Sequence, residues 1–248
     1  MYHKGSGTPI VVIPGMQGRW EWQAPALDAL AKCCHAISYS LGAWTFDDLV
    51  AEVDNVLDKA AVRAAALCGV SFGGMVAVRY AAVRPQRTTA LVIVSTPSPW
   101  WQPSPTQARY IAKPWTSTPA FVATTWDRLG PEIKAACDTW PKRLTFCARH
   151  AARIVTAPAI PAHMAERIKL REEVDLSADC KRITAPTLVI SGEPDLDRVV
   201  PVESTRRYAE LIPGAKYAMI ERTGHLGLVT RADRFAEIVC EFINASRS

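Results

Sequence analysis

The chain predicts an α/β fold: a mostly parallel sheet of about seven strands flanked by helices. Three observations carry that prediction. Short β-branched runs alternate with segments of helical spacing over residues 1–96, and again over 186–248. The central runs Ile10-Val11-Val12-Ile13 and Leu91-Val92-Ile93-Val94 are apolar throughout, as strands covered on both faces are. Several runs end at glycine, where the chain must turn.

The elements follow in order. Thr8 to Pro14 reads as a buried strand ending at Gly15. Ala24 to Lys32 has helical spacing, with Leu27, Leu30 and Ala31 on one side. His35 to Leu41 reads as a strand. Thr45, followed by Asp47, Asp48 and the set Leu49, Val50, Val53, Val56, Leu57, predicts a capped amphipathic helix. Ala64–Val70 is a strand, Phe72–Val83 a helix stopped by Pro85, and Thr88–Ser95 a strand. Ahead of Thr8 only Tyr2-His3-Lys4 has room for a strand, so a usual first strand is expected to be absent.

The rhythm breaks at Pro97 and resumes at Pro186. Residues 97–185 hold ten of the 18 prolines, five of the eight tryptophans and no strong strand. Helical pieces are expected around 119–129, 131–137, 141–155 and 163–173, with Pro131 and Pro141 opening helices at their first position. Then come a strand at Thr187–Ser191, a helix at Val202–Leu211, a strand at Lys216–Ile220 and a final helix at Arg231–Ile243. The reading is a core of 1–96 and 186–248 with a helical insertion at 97–185.

Composition narrows the classes. No apolar run reaches membrane-spanning length, and MYHKGSGTPIVV lacks an apolar signal region with a cleavage site, so a cytoplasmic location without membrane attachment is expected. The net charge is +5, but no Lys/Arg block forms a nucleic-acid footprint. Seven cysteines without a CxxC pair suggest buried or reduced thiols rather than a disulfide framework or a zinc site. A G-x-G-x-x-G after the first strand and a P-loop lysine are both missing.

The chemistry concentrates at Cys68-Gly69-Val70-Ser71-Phe72-Gly73-Gly74. A strand turning sharply into a helix exposes its apex residue at the carboxyl edge of the sheet, where open α/β sheets bind ligands. Neighbours two positions away press on adjacent elements and must be small; Gly69 and Gly73 meet that demand. This is a nucleophile elbow, G-x-S-x-G, holding the Ser71 hydroxyl clear of the backbone. The Phe72 N–H, in the first turn of a helix, suits an oxyanion, and the loop Pro14-Gly15-Met16-Gln17-Gly18 supplies a second donor, assigned to the Met16 N–H. Serine needs a base. His225 follows the last strand, and acids follow the strand before it, in Ser191-Gly192-Glu193-Pro194-Asp195-Leu196-Asp197.

With these pieces in place the chain resembles a capped α/β-hydrolase over nearly its whole length. The matching stretches are IPGMQG (13–18), GVSFGG (69–74), LVISGEPDLDRVVP (188–201) and ERTGHLG (221–227). The resemblance implies a Ser–acid–His triad, a helical cap inserted after the sixth strand of the family's sheet, and no metal or organic cofactor. Asp195 and Asp197 both have family-like spacing. Asp197 is taken as the acid, because Asp-Arg-Val-Val-Pro leads directly into the next helix. The expected function is serine hydrolysis of a carboxylic ester or related acyl bond in a small molecule. The alternatives are carbon–carbon bond hydrolysis, thioester hydrolysis or perhydrolysis on the same fold and, from another class, a slow-turnover receptor keeping the triad. Nothing in the residues sets an oligomeric state. Trp20, Trp22 and Phe72 are weighed as walls of an apolar pocket, although packing of the insertion on the core is the plainer role for any one tryptophan.

Overall fold

The computed structural model describes residues 1–246. Its strands are β1 (Tyr2–Lys4), β2 (Pro9–Ile13), β3 (His35–Ser38), β4 (Ala65–Val70), β5 (Thr88–Val94), β6 (Thr187–Ser191) and β7 (Lys216–Met219). They form one sheet in the order β1-β3-β2-β4-β5-β6-β7, parallel throughout except for β1, which runs antiparallel to β3. Tyr2-His3-Lys4 is the one antiparallel strand among the described residues; it pairs with Ala36–Ser38 and lengthens one edge of the sheet.

The core helices are α1 (Ala24–Leu30), α2 (Phe46–Lys59), α3 (Phe72–Val83), α10 (Val202–Leu211), α11 (Gly227–Thr230) and α12 (Ala232–Ala245). They divide the core into two layers. Val11, Ile13, Leu67, Leu91 and Ile93 face α2, α3 and α10. Their alternates Ile10, Val12, Ala66, Val92 and Val94 face α1 and α12. A period of two inside a continuous apolar run sorts side chains to opposite faces, and here both faces are covered. Thr45 caps α2 by accepting from the Asp48 N–H, and the predicted apolar face of that helix is buried. Helix α3 is apolar almost all round and lies buried along nearly its whole length, which is why its hydrophobic residues show no single stripe.

Between β5 and β6 the chain runs through α4 (Pro105–Ala112), α5 (Pro114–Ala123), α6 (Thr125–Ala136), α7 (Trp140–Thr156), α8 (Pro161–Leu170) and α9 (Leu176–Arg182). Two expectations need correction here. Helices α4 and α9 had no predicted counterpart, and Pro119 and Pro131 lie inside α5 and α6 instead of opening helices. A mid-helix proline leaves the carbonyl four residues back without its helical donor. At Pro131 that carbonyl is Asp127 O, which accepts from Arg198 Nη1 at 3.0 Å. A side chain from the core thus replaces the lost bond.

The cysteine expectation also changes. Cys33 and Cys240 form a disulfide across 207 residues of sequence, and the Cys34 Sγ lies 3.6 Å from the Cys240 Sγ. The pairing follows from tertiary packing: the turn after α1 lies beside α12, a neighbourhood invisible in cysteine spacing. Among the described residues no helix is long and apolar enough to cross a membrane.

Candidate active site

Ser71 occupies the turn between β4 and α3 with φ 53° and ψ −121°. Positive φ strains a residue with a side chain. The surrounding bonds hold it there: the Ser71 N–H donates to Val94 O at 2.8 Å, and Ser71 O accepts from the Gly74 N–H at 2.9 Å. The glycines meet backbone or side chain at close quarters. A Cβ on Gly69 would strike Gly73 O, one on Gly73 would strike Ile13 O, and one on Gly74 would strike Thr96 Oγ1. A Cβ on Gly15 would lie 3.4 Å from Ser71 Cβ, so the loop after β2 borders the serine. In that loop the Gly18 N–H donates to Gly15 O at 2.8 Å, while the Met16 N–H pairs with no carbonyl among the described residues. Cys68, three residues before the serine in β4, is buried with its thiol pushed up to about 12, which leaves it inert.

His225 and Asp197 meet. The imidazole Nδ1 lies 3.3 Å from Asp197 Oδ2. The carboxylate is buried, and its Oδ1 accepts from the Val199 and Val200 N–H groups at 3.0 and 2.9 Å. Asp195, two residues earlier, is exposed. Burial disfavours the imidazolium, but the Asp197 charge, its hydrogen bond and the Glu132 charge outweigh it, so the His225 pKa is raised. The Ser71 hydroxyl makes no direct hydrogen bond to His225; both stand at the carboxyl edge of the sheet, after β4 and β7.

Sequence reasoning missed the residues that bring Asp197 to His225. The Glu193 N–H donates to Thr223 O at 2.7 Å, and Glu193 Oε1 accepts from the Arg222 N–H at 2.7 Å. Gly192 presses on Thr223 O and Gly224 on Leu196 O, each without room for a Cβ. The signal was present: a glycine follows the end of β6, and another immediately precedes His225. Of the aromatic rings considered as pocket walls, Trp20 packs on Tyr2 with centroids 5.5 Å apart, and Phe72 is buried beside Phe46. Trp22 reaches the helical segment by donating to Ala157 O at 2.9 Å. Docking and core packing account for these rings.

Four charged residues are buried among the described residues: Asp197 and, from the helical segment, Glu132, Arg167 and Asp179. Asp179 pairs with Arg79 of α3 at 3.1 Å. The Glu132 and Arg167 side chains end at the loops that carry His225 and Met16. Among the described residues the one cysteine or acid group with its ligand atoms close together is Cys33, Cys34 and Cys240, two of which are joined as the disulfide.

A parallel sheet with its helices on both faces, a strained serine after the central strand and an Asp–His pair after the last two define an α/β-hydrolase type of protein. The family model described as "Alpha/beta hydrolase family" matches residues 10–238, and the chain belongs to that family and is a hydrolase of that fold. Over 250 residues it is 25% identical to a RutD protein of Stutzerimonas stutzeri strain A1501, named for carbamate hydrolysis, covering 94% of this chain and 91% of the relative. It is 26% identical to the pimeloyl-[acyl-carrier protein] methyl ester esterase of Nitrosomonas europaea, covering 68% of this chain and 67% of that one. The enol-lactonase of Burkholderia xenovorans LB400 shares its fold with a TM-score of 0.74 at 23% identity, over 98% of this chain and 95% of that structure.

Proposed function

We propose that the chain is a serine hydrolase of carboxylic esters and related small acyl compounds, acting through an acyl-enzyme. Residues 1–96 and 186–248 form the catalytic core, and 97–185 form a helical cap over it. Ser71 Oγ attacks the acyl carbon while His225 Nε2 takes its proton. Asp197 holds Nδ1–H and stabilises the imidazolium. The Phe72 and Met16 N–H groups bind the oxyanion. Collapse of the tetrahedral intermediate breaks the bond to the leaving group, which takes the proton from His225. Water, giving a proton to His225, then attacks the acyl-enzyme and releases the acid and the free serine. No cofactor takes part in these steps.

The observation that carries this reading is the buried Asp197–His225 pair at the same sheet edge as a serine held at positive φ. The names of two sequence relatives include carbamate and methyl ester cleavage, both attack at an acyl carbon bearing a heteroatom. Those names favour ester or carbamate substrates over carbon–carbon cleavage.

A panel of p-nitrophenyl esters of graded chain length, with a p-nitrophenyl carbamate beside them, tests the proposal. Wild type should release a stoichiometric burst of p-nitrophenol, and Ser71→Ala should abolish both the burst and labelling by a fluorophosphonate. Turnover that persists in Ser71→Ala would remove the serine from the mechanism. Tight binding of the esters with negligible turnover would replace the enzyme by a ligand receptor.

A further inference from the structure

Resting on the triad reading above, we infer that two cap residues, Glu132 and Arg167, are positioning residues for the reaction. One grips the loop of the catalytic histidine and the other the loop of the oxyanion-binding amide.

Glu132 sits on α6 with no exposure at all. Its Oε2 accepts from the Leu226 N–H at 3.0 Å, and its Oε1 from Thr230 Oγ1 at 3.4 Å. Leu226 directly follows His225, so the carboxylate holds the backbone beside the imidazole. A fully buried carboxylate is retained only where hydrogen bonds offset its desolvation, and here those donors belong to the histidine loop.

Arg167 sits on α8 and is buried. It donates through Nη1 to Met16 O and through Nη2 to Leu41 O, both at 2.8 Å. The loop makes room for it. Gly18 has φ +68°, and a Cβ there would lie 2.5 Å from Arg167 Nη1 and 2.6 Å from Cζ. The second glycine of Gly-Met-Gln-Gly is thus the seat of a cap guanidinium. Leu41 N–H donates to Gly18 O at 3.0 Å, which ties the same loop to the same anchor. A planar fork with two donors suits two carbonyls in a way that a lysine ammonium does not.

The cap has one further buried charge, Asp179, paired with Arg79 of α3 away from both loops. It offers a control for docking alone. If Glu132 and Arg167 merely fastened the cap, the three residues would behave alike.

They differ in how they touch the chemistry. The charged groups facing His225 are Asp197, from the loop after β6, and Glu132, from α6. Those facing Glu132 are His225 and Asp197. The Glu132 carboxyl stands at about 7: burial raises it most, the Leu226 and Gly224 N–H groups and the His225 charge lower it, and Asp197 raises it. Glu132 as an anion favours protonated His225. Removing that charge lowers the pKa of the base, so the acid limb of kcat/KM moves to lower pH.

The test measures kcat, KM and the pH profile with a p-nitrophenyl ester, and the NMR titration of the His225 ring, in wild type, E132Q, E132A, R167K, R167M and D179N. E132Q should move the acid limb and the ring titration down by about half a unit or more. E132A should lose up to about 10²-fold in kcat, as a misplaced base does. R167M should lose about tenfold or more in kcat with KM within about twofold, and R167K should restore only part of it. D179N should leave the pH midpoint in place. The inference is overturned if E132Q leaves both midpoints unchanged, or if R167M shows the same kinetic pattern as D179N. A wild type without Ser71-dependent turnover would instead sink the triad reading, and the ring titration of His225 in E132Q would still report the Glu132 contact. If E132A fails to fold, E132Q decides.

Discussion

The sheet core and the proposed helical cap are built on different terms. In the core, β2, β4, β5 and β6 are almost wholly buried, and α3 lies against one face of them as an apolar cylinder. In the cap, α4 and α7 bury no residue, and Trp100, Trp115, Trp126, Trp140 and Val155 stand exposed. Yet three of the four buried charges belong to the cap. The core is held by apolar area, which is non-directional and additive. The cap is seated by apolar residues such as Leu176, Cys180 and Ile183 packed into the core and by directional contacts that end on specific atoms of it. A fold can therefore keep its sheet while its cap diverges, provided that the seats survive.

The widest gap between the two regions should appear in catalysis at the proposed triad acid. Asp197→Asn should lower kcat by up to about 10⁴-fold, since the amide favours the wrong tautomer of the histidine. Asp195→Asn should change it by less than about twofold, because Asp195 is exposed and away from His225. A p-nitrophenyl ester assay on both variants measures this directly. Normal turnover in the first with loss in the second would reverse the assignment.

Stability should separate the regions next. Ile93 is fully buried at the centre of the sheet, and Ile93→Ala should destabilise by about 2–5 kcal/mol. Val155 on α7 is 79% exposed, and Val155→Ala should fall within about 0.5 kcal/mol of wild type. Urea unfolding of the two variants checks this. Equal losses would mean that α7 is covered in solution by something other than this chain.

The same contrast explains what could be read from the residues. Apart from β1 and α11, the core strands and helices follow from apolar runs, a period of 3.6 and glycine or proline punctuation, so Val70-Ser71-Phe72 could be placed at a sheet edge without coordinates. The choice between Asp195 and Asp197 needed the register of one loop, which is fixed by Gly192 and Gly224 pressing two backbones together. Glu132 and Arg167 were illegible for a different reason. A charge on an amphipathic helix reads as solvated, and their partners are backbone atoms 94 and 151 residues away in the chain. The missed position of Pro131 has the same origin, since the donor that repairs its helix is Arg198, 71 residues from Asp127. Local pattern encodes burial against a sheet; it does not encode which distant carbonyl awaits a guanidinium.

The smallest expected effect concerns the cap's charge. Residues 97–185 carry thirteen Lys/Arg against eight Asp/Glu, an excess equal to the net +5 of the whole chain. Lys113, Lys142, Arg149 and Lys169 are exposed. Such a field raises the encounter rate of an anionic substrate and fades as salt shortens the screening length, from about 10 Å at 0.1 M to about 3 Å at 1 M. For an ester with a carboxylate tail, kcat/KM should fall a few-fold over that range while kcat holds. A neutral ester of the same length should respond little. Identical salt profiles for the two esters would confine the cap's role to its buried contacts, with its surface charge left to solubility.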